Sequence, residues 1–211
     1  MNFVINCETV YRLSRLFDYY PSGKPDYFKN IRIESKNNKQ FAIVTNIKVA
    51  AIEIIGNYQN PDGAVNLTID PVLIEQCKME AGFKSQLFGT YNEALQFVSV
   101  KTTMGYNYPG NAGVFHKGMT VYDDWRDWLP DELPTQSSGT MMLQSESISA
   151  LGLTAPSKQL LFPTFINDRL PVLVRDSVDD TWIGVFMPEY IDGETGKAVD
   201  LDPIEIPEWV K

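Results

Sequence analysis

Apolar and polar positions alternate along this chain in short runs broken by turn residues, and the same succession of elements comes round three times. Phe3-Val-Ile opens as a strand. From Asn6 to Tyr20 the period lengthens to that of a helix. Val10, Leu13, Phe17 and Tyr20 fall on one face, and Arg12, Arg15 and Tyr19 on another. Pro21-Ser-Gly23 breaks that helix. Alternation then returns in Asn30–Glu34 and Gln40–Val44 around Lys36-Asn-Asn-Lys39, where the Asn-Asn pair predicts a tight hairpin. Lys48–Ile55 adds one more strand.

The second repeat follows the turn Asn60-Pro-Asp-Gly63. Val65–Ile69 alternates as a strand, and Asp70-Pro71 then supplies an N-cap and a first-turn proline for a helix carrying Leu73, Ile74 and Cys77. Gly82 is placed to close this helix, and strands from Gln86 and from Ala94 to Thr102 complete the repeat. The third repeat is shorter. It comprises Thr140–Leu143 as a strand, Ser145–Leu153 as a helix, a hairpin of Gln159–Phe165 with Arg169–Arg175 over Asn167-Asp168, and a last strand at Trp182–Met187. A fixed-period repeat decides the fold class before any single residue does. The expectation is an α+β protein of repeated β-α-β-β(-β) units, with helices on one face of antiparallel sheets. The predicted organisation is a two-unit domain over 1–120, a connector over 121–137, a half or reduced second domain over 138–190, and an acidic tail over 191–211.

Composition narrows the function. At 211 residues and 44% hydrophobic the chain can bury a large core. No apolar run reaches the ~20 residues that span a bilayer, and residues 1–20 interleave Asn6, Glu8, Arg12 and Arg15 in a pattern unlike a secretory leader. These features predict a cytoplasmic protein with no membrane partner. Cys7 and Cys77 lack metal-ligand spacing and read as small buried hydrophobes. His116 is the only histidine, and no phosphate-cradling glycine motif is present, so no catalytic residue, cofactor or metal is expected. Asp176, Asp179 and Asp180 read as a solvated turn. The net charge of −9 is uneven: residues 1–105 are nearly neutral and residues 106–211 carry almost all the excess acid. A chain of this sign can still present cations on one face.

Between the second and third repeats lies Tyr122-Asp-Asp-Trp-Arg-Asp-Trp-Leu-Pro130. Its tryptophans and arginine are residue types that dominate interaction hot spots. They serve equally as plugs into the domain beneath.

Four stretches in order resemble the bacterial replicative sliding clamp, the β subunit of DNA polymerase III. Asn2-Phe-Val-Ile before a helix looks like the start of a clamp domain. Ala42-Ile-Val-Thr-Asn46 with Lys48-Val-Ala50 is similar to the family's Thr-Asp-Gly-x-Arg-Leu-Ala strand, here one residue shorter. Tyr122–Pro130 resembles Phe-Pro-x-Tyr-Arg-x-x-Leu-Pro, with Trp125, Arg126, Leu129 and Pro130 in register. Val185-Phe-Met-Pro188 resembles the closing Val-Met-Pro. The resemblance implies the DNA-clamp fold and no bond-breaking chemistry. It implies a homo-oligomeric ring (trimer, dimer or tetramer) that encircles duplex DNA without reading sequence, and partners that include a DNA polymerase and a clamp loader. It places Arg12, Arg15, Lys78 and Lys84 toward phosphates. Thr45, Lys48, Val49, Trp128, Met187 and Pro188 would border a pocket for short apolar peptides, a motif that Gln159–Phe162 itself resembles. A family protomer has six units and this chain shows three, which suggests a divergent, phage-like clamp acting in a bacterial cytoplasm. The alternative is a clamp-like binding protein that never encircles DNA, acting as a decoy or a structural subunit.

Overall fold

The computed structural model describes residues 1–19, 29–46, 48–57, 62–92, 97–105, 125–129, 145–162 and 171–186. The first repeat gives β1 (Asn2–Asn6), α1 (Cys7–Ser14), β2 (Asn30–Lys36), β3 (Lys39–Thr45) and β4 (Val49–Asn57). The second gives β5 (Gly63–Thr68), α2 (Pro71–Ala81), β6 (Gln86–Asn92) and β7 (Phe97–Thr102). The third gives α3 (Ser145–Thr154), β8 (Leu160–Leu161), β9 (Val172–Asp176) and β10 (Trp182–Phe186). The expected helix over Asn6–Tyr20 is α only to Ser14, then tightens into a 3-10 helix over Arg15–Tyr19. The expected strand at Thr140–Leu143, the turn at Asn167-Asp168, His116 and the tail lie outside the described residues.

Local chemistry explains these boundaries. Asn37 and Asn38 both take positive φ (53° and 62°), which matches the two-residue hairpin turn that joins right-twisted strands. Asp70 caps α2 by accepting from the Leu73 amide at 2.9 Å, with Pro71 in the first turn. Gly82 does not close that helix in the left-handed region. It stays right-handed at φ −62°, and the reversal falls on Lys84 at φ 54°.

All strand pairs among the described residues are antiparallel. One sheet runs β1-β6-β7 and the other β5-β2-β3-β4-β10-β9-β8. The first two repeats exchange strands. β1 leaves its own repeat to pair with β6 (Asn2↔Thr90), and β5 pairs with β2 (Ile31↔Leu67). The third repeat has no such reciprocal partner among the described residues. Its β10 pairs with β4 instead (Ile183↔Ile52), so the first and third repeats share a seven-stranded sheet.

The main core lies between the helices and the inner sheet faces, with Phe3, Ile5, Val10, Leu13, Ile31, Leu67, Leu73, Leu87, Val174, Trp182 and Phe186 almost fully buried. Gly89 is required here, since a Cβ would lie 2.0 Å from the Phe3 ring. Cys7 and Cys77 are free, buried thiols in this core.

Two buried carboxylates tie elements together. Glu80 of α2 accepts from Gln76 (2.5 Å), Ser85 (2.5 Å) and Thr102 (3.0 Å). Asp176 of β9 accepts from the amides of Ser157 (2.8 Å), Val178 (2.9 Å) and Asp179 (2.9 Å), so the Asp176–Asp180 stretch is a hydrogen-bonded turn. Burial opposes ionisation at both, but these donors outweigh it and hold both carboxyls below their ordinary pKa. A depressed folded-state pKa gives stability that is present above the unfolded value and lost as pH falls through the folded one. Glu80→Gln and Asp176→Asn should therefore each flatten the loss of urea-unfolding midpoint below about pH 4 relative to the parent chain. Parallel acid profiles for parent and variants would contradict this.

Candidate functional site

Two surfaces merit attention: the solvent side of the helices and the outer face of the seven-stranded sheet. On the helices, α1 exposes Glu8 and partly exposes Tyr11, and its 3-10 extension partly exposes Arg15 and exposes Asp18. α2 exposes Val72, Glu75, Lys78 and Met79, followed by Phe83 and Lys84. α3 exposes Ser145, Glu146 and Ser149. Arg15 pairs with Asp18 at 3.0 Å and Lys78 with Glu75 at 3.2 Å. Hydrogen bonds to Tyr11 and Asp18 raise the Arg15 pKa further, so it is charged at every relevant pH.

Arg12 is not on that stripe, which corrects its expected place beside the phosphates. α3 packs against α1 and its 3-10 extension and covers it. The guanidinium donates to Glu53 of β4 at 2.6 Å and to the Thr154 carbonyl at the end of α3, while Thr9 donates to Glu53 at 3.0 Å. Burial raises the Glu53 pKa despite the adjacent cation. Arg12 is thus an interior tie between the first and third repeats.

On the outer sheet face a second apolar cluster forms from Ile43, Ala50, Ile52 and Val185, flanked by Phe41, Leu173 and Ile183. The 3-10 turn Trp125–Trp128 lies across it, burying Trp125 and half-burying Leu129. Phe41 and Trp125 meet at 5.5 Å between ring centroids. The tryptophan-rich segment is therefore a cover on the sheet at Trp125. At the end of this face Thr45 pairs with Ala50, and Val185 with Ala50 from the other side.

Solved structures share this fold. The DNA polymerase III β subunit from Pseudomonas aeruginosa aligns over 90% of this chain and 66% of its own length at 12% identity, with a TM-score of 0.60. The same clamp bound to griselimycin aligns over 90% and 65% at 13% identity, with a TM-score of 0.56. The β subunit from Thermotoga maritima aligns over 90% and 65% at 8% identity, also at 0.56. This chain has the sliding-clamp fold. It spans about two thirds of the length of those clamps. No protein-family model matches the sequence, and no curated protein does.

Within the clamp fold, the residues singled out for a peptide pocket separate by face. Thr45 stands on the outer side, in line with Phe41 and Ile43, and its hydroxyl donates to the Val49 carbonyl at 2.9 Å. Asn46 accepts from the amides of Lys48 (3.1 Å) and Val49 (3.0 Å), fixing the connection between β3 and β4. Lys48 is half-buried beside it. Val49 faces inward and packs in the main core, so its side chain does not border an outer pocket, and Ala50 takes the outward position. Because side chains alternate along a strand, the residue that follows the shortened turn sets which face each neighbour meets. Trp128 lies in the 3-10 turn that crosses this face. Met187 and Pro188 follow Phe186 and lie outside the described residues, as does Ile47. Gln159–Phe162 contains the short edge strand β8, with Leu161 and Phe162 exposed, and Phe162 stacks on Phe186 at 5.8 Å.

Residues missed at the sequence level are Glu34 and Glu53; Arg126 is singled out there, but not its partner Glu34. Glu53 stands out in the otherwise apolar Val49–Ile55, and an acid amid apolar strand residues signals a buried partner. Among the described residues no three His, Cys, Asp or Glu side chains cluster to hold a metal, and no helix is long and apolar enough to cross a membrane.

Proposed function

We propose that this protein is a sliding clamp: copies close into a ring around duplex DNA and hold replication proteins through short apolar peptides on the outer face. The observation that carries the reading is the run of β4 into β10. A sheet that continues edge to edge from one repeat into another, with helices on the inner side, is a building plan that extends to a closed ring. Arg15, Lys78 and Lys84 are the cations offered to the phosphate backbone, and Thr45, Lys48, Trp128, Met187 and Pro188 the residues around the peptide site. The partners are a DNA polymerase and a loader, the setting is a bacterial cytoplasm, and the origin is phage-like. No catalytic group is called for.

One observation favours a second reading, a clamp-like binding protein that does not encircle DNA. The helix side is balanced in charge: Glu8, Asp18, Glu75 and Glu146 stand against Arg15, Lys78 and Lys84, and two of those cations already have acidic neighbours. Binding to phosphate draws on counterion release by cations, so a balanced surface grips weakly.

Sedimentation and retention on circular DNA separate the two. The clamp reading expects a closed oligomer at micromolar concentration that stays on nicked circular plasmid and leaves when the plasmid is linearised. The triple variant Arg15→Glu, Lys78→Glu, Lys84→Glu should keep the oligomer and lose retention roughly tenfold or more at 0.1 M salt. A monomer at all concentrations, or retention unchanged in the triple variant, refutes the ring with these cations inside.

A further inference from the structure

On the outer sheet face one arginine holds the tryptophan turn in place by three contacts at once. Arg126 Nη1 donates to Glu34 of β2 at 2.7 Å. Its guanidinium stands 4.2 Å from the Trp125 ring centroid and 5.5 Å from that of Phe41. Glu34 is itself buried, and Arg32 on the same strand reaches it at 3.5 Å. A planar cation between two rings and a carboxylate fixes both the height and the rotation of the turn above the sheet. An ammonium could not reproduce that fit. The turn so fixed is the one that carries Trp128, two residues on from Arg126.

We propose that Glu34 and Arg126 are positioning residues for peptide capture: they set the Trp125–Trp128 turn so that the apolar peptide meets a preformed edge. The inference rests on the peptide-site reading above. Neither residue needs to touch the peptide. They act by removing the ordering cost that a loose turn would add on binding. The carboxylate sits 92 residues before its arginine, so the contact also ties the connector back to the first repeat.

The test uses the full chain and a fluorescein-labelled Gln-Leu-Leu-Phe peptide, read by anisotropy, with hydrogen exchange at residues 125–129 and urea unfolding measured in parallel. The parent chain is expected to bind. Glu34→Gln and Arg126→Met are expected to weaken binding about tenfold and to speed exchange at 125–129 above all other segments, with a partial fall in the unfolding midpoint because Arg32 still reaches residue 34. Arg126→Lys, which keeps charge but not the planar stack, should recover only part of the loss. Should the variants bind as tightly as the parent, the positioning role is overturned while the peptide site stands. Should the Arg126→Lys variant bind as well as the parent, charge alone suffices and the stacking argument is overturned. A parent chain that does not bind overturns the peptide-site reading and this inference with it.

Discussion

Arg12→Ala is expected to destabilise the protein by about 3–5 kcal/mol, the cost of leaving a buried ionised partner unpaired. Arg12 and Glu53 have side-chain exposures of only 10% and 9%. Removing the guanidinium strands the Glu53 carboxylate with Thr9 as a neutral donor and removes the donor to the Thr154 carbonyl at the negative end of α3. Glu53→Gln should cost clearly less. It keeps an oxygen for Thr9 and Arg12 and deletes a charge that burial already disfavours. Urea unfolding of the two variants gives the comparison. Equal losses, or a loss under about 1 kcal/mol for Arg12→Ala, would show that the pair is not the tie described here.

Trp182→Ala is expected to cost a similar amount, about 3–5 kcal/mol, as a large-to-small change in a packed core. The indole is fully buried at the junction of the first and third repeats. Its residue pairs with Glu53 on β4, and a Cβ on Gly184 would lie 2.8 Å from its ring and 2.6 Å from Leu151 of α3. The ring fills the space that Gly184 leaves and meets α3 from below. Hydrogen exchange should rise first in α3, β9 and β10 and least in β6, which belongs to the other sheet. Uniform exchange across both sheets would show that the third repeat does not open separately.

The parts of this fold legible in the sequence were those set by neighbours in the chain. Asp70-Pro71 announces α2, the Asn37-Asn38 pair makes its turn, and alternation in Asn30–Val44 gives the strands, because capping, left-handed turns and the period of a strand are local physics. What was hidden came from distant contacts. The position of Arg12 on a helical wheel is compatible with solvent, and only α3, whose Thr154 lies 142 residues further along, buries it. Val49 matches a family leucine by motif, yet its side chain packs in the main core and Ala50 takes the outer face. The Arg126–Glu34 contact likewise joins residues that no spacing rule relates. The cations singled out for phosphates split in the same way: Lys78 and Lys84 are exposed and Arg15 partly so, whereas Arg12 answers to tertiary packing.

The exchange of strands between the first two repeats also sets a timetable for synthesis. β1 cannot form its ladder until β6 exists, and their pairing joins Asn2 with Thr90. At about 5–20 residues per second, β1 waits on the order of 5–20 s after its own synthesis for its partner. Phe3 and Ile5 stay uncovered by their native ladder through that interval. The β2-β3-β4 hairpins can form within the intervening loop, but the β1–β6 ladder itself has to close it, at an entropic cost that local hairpins do not carry.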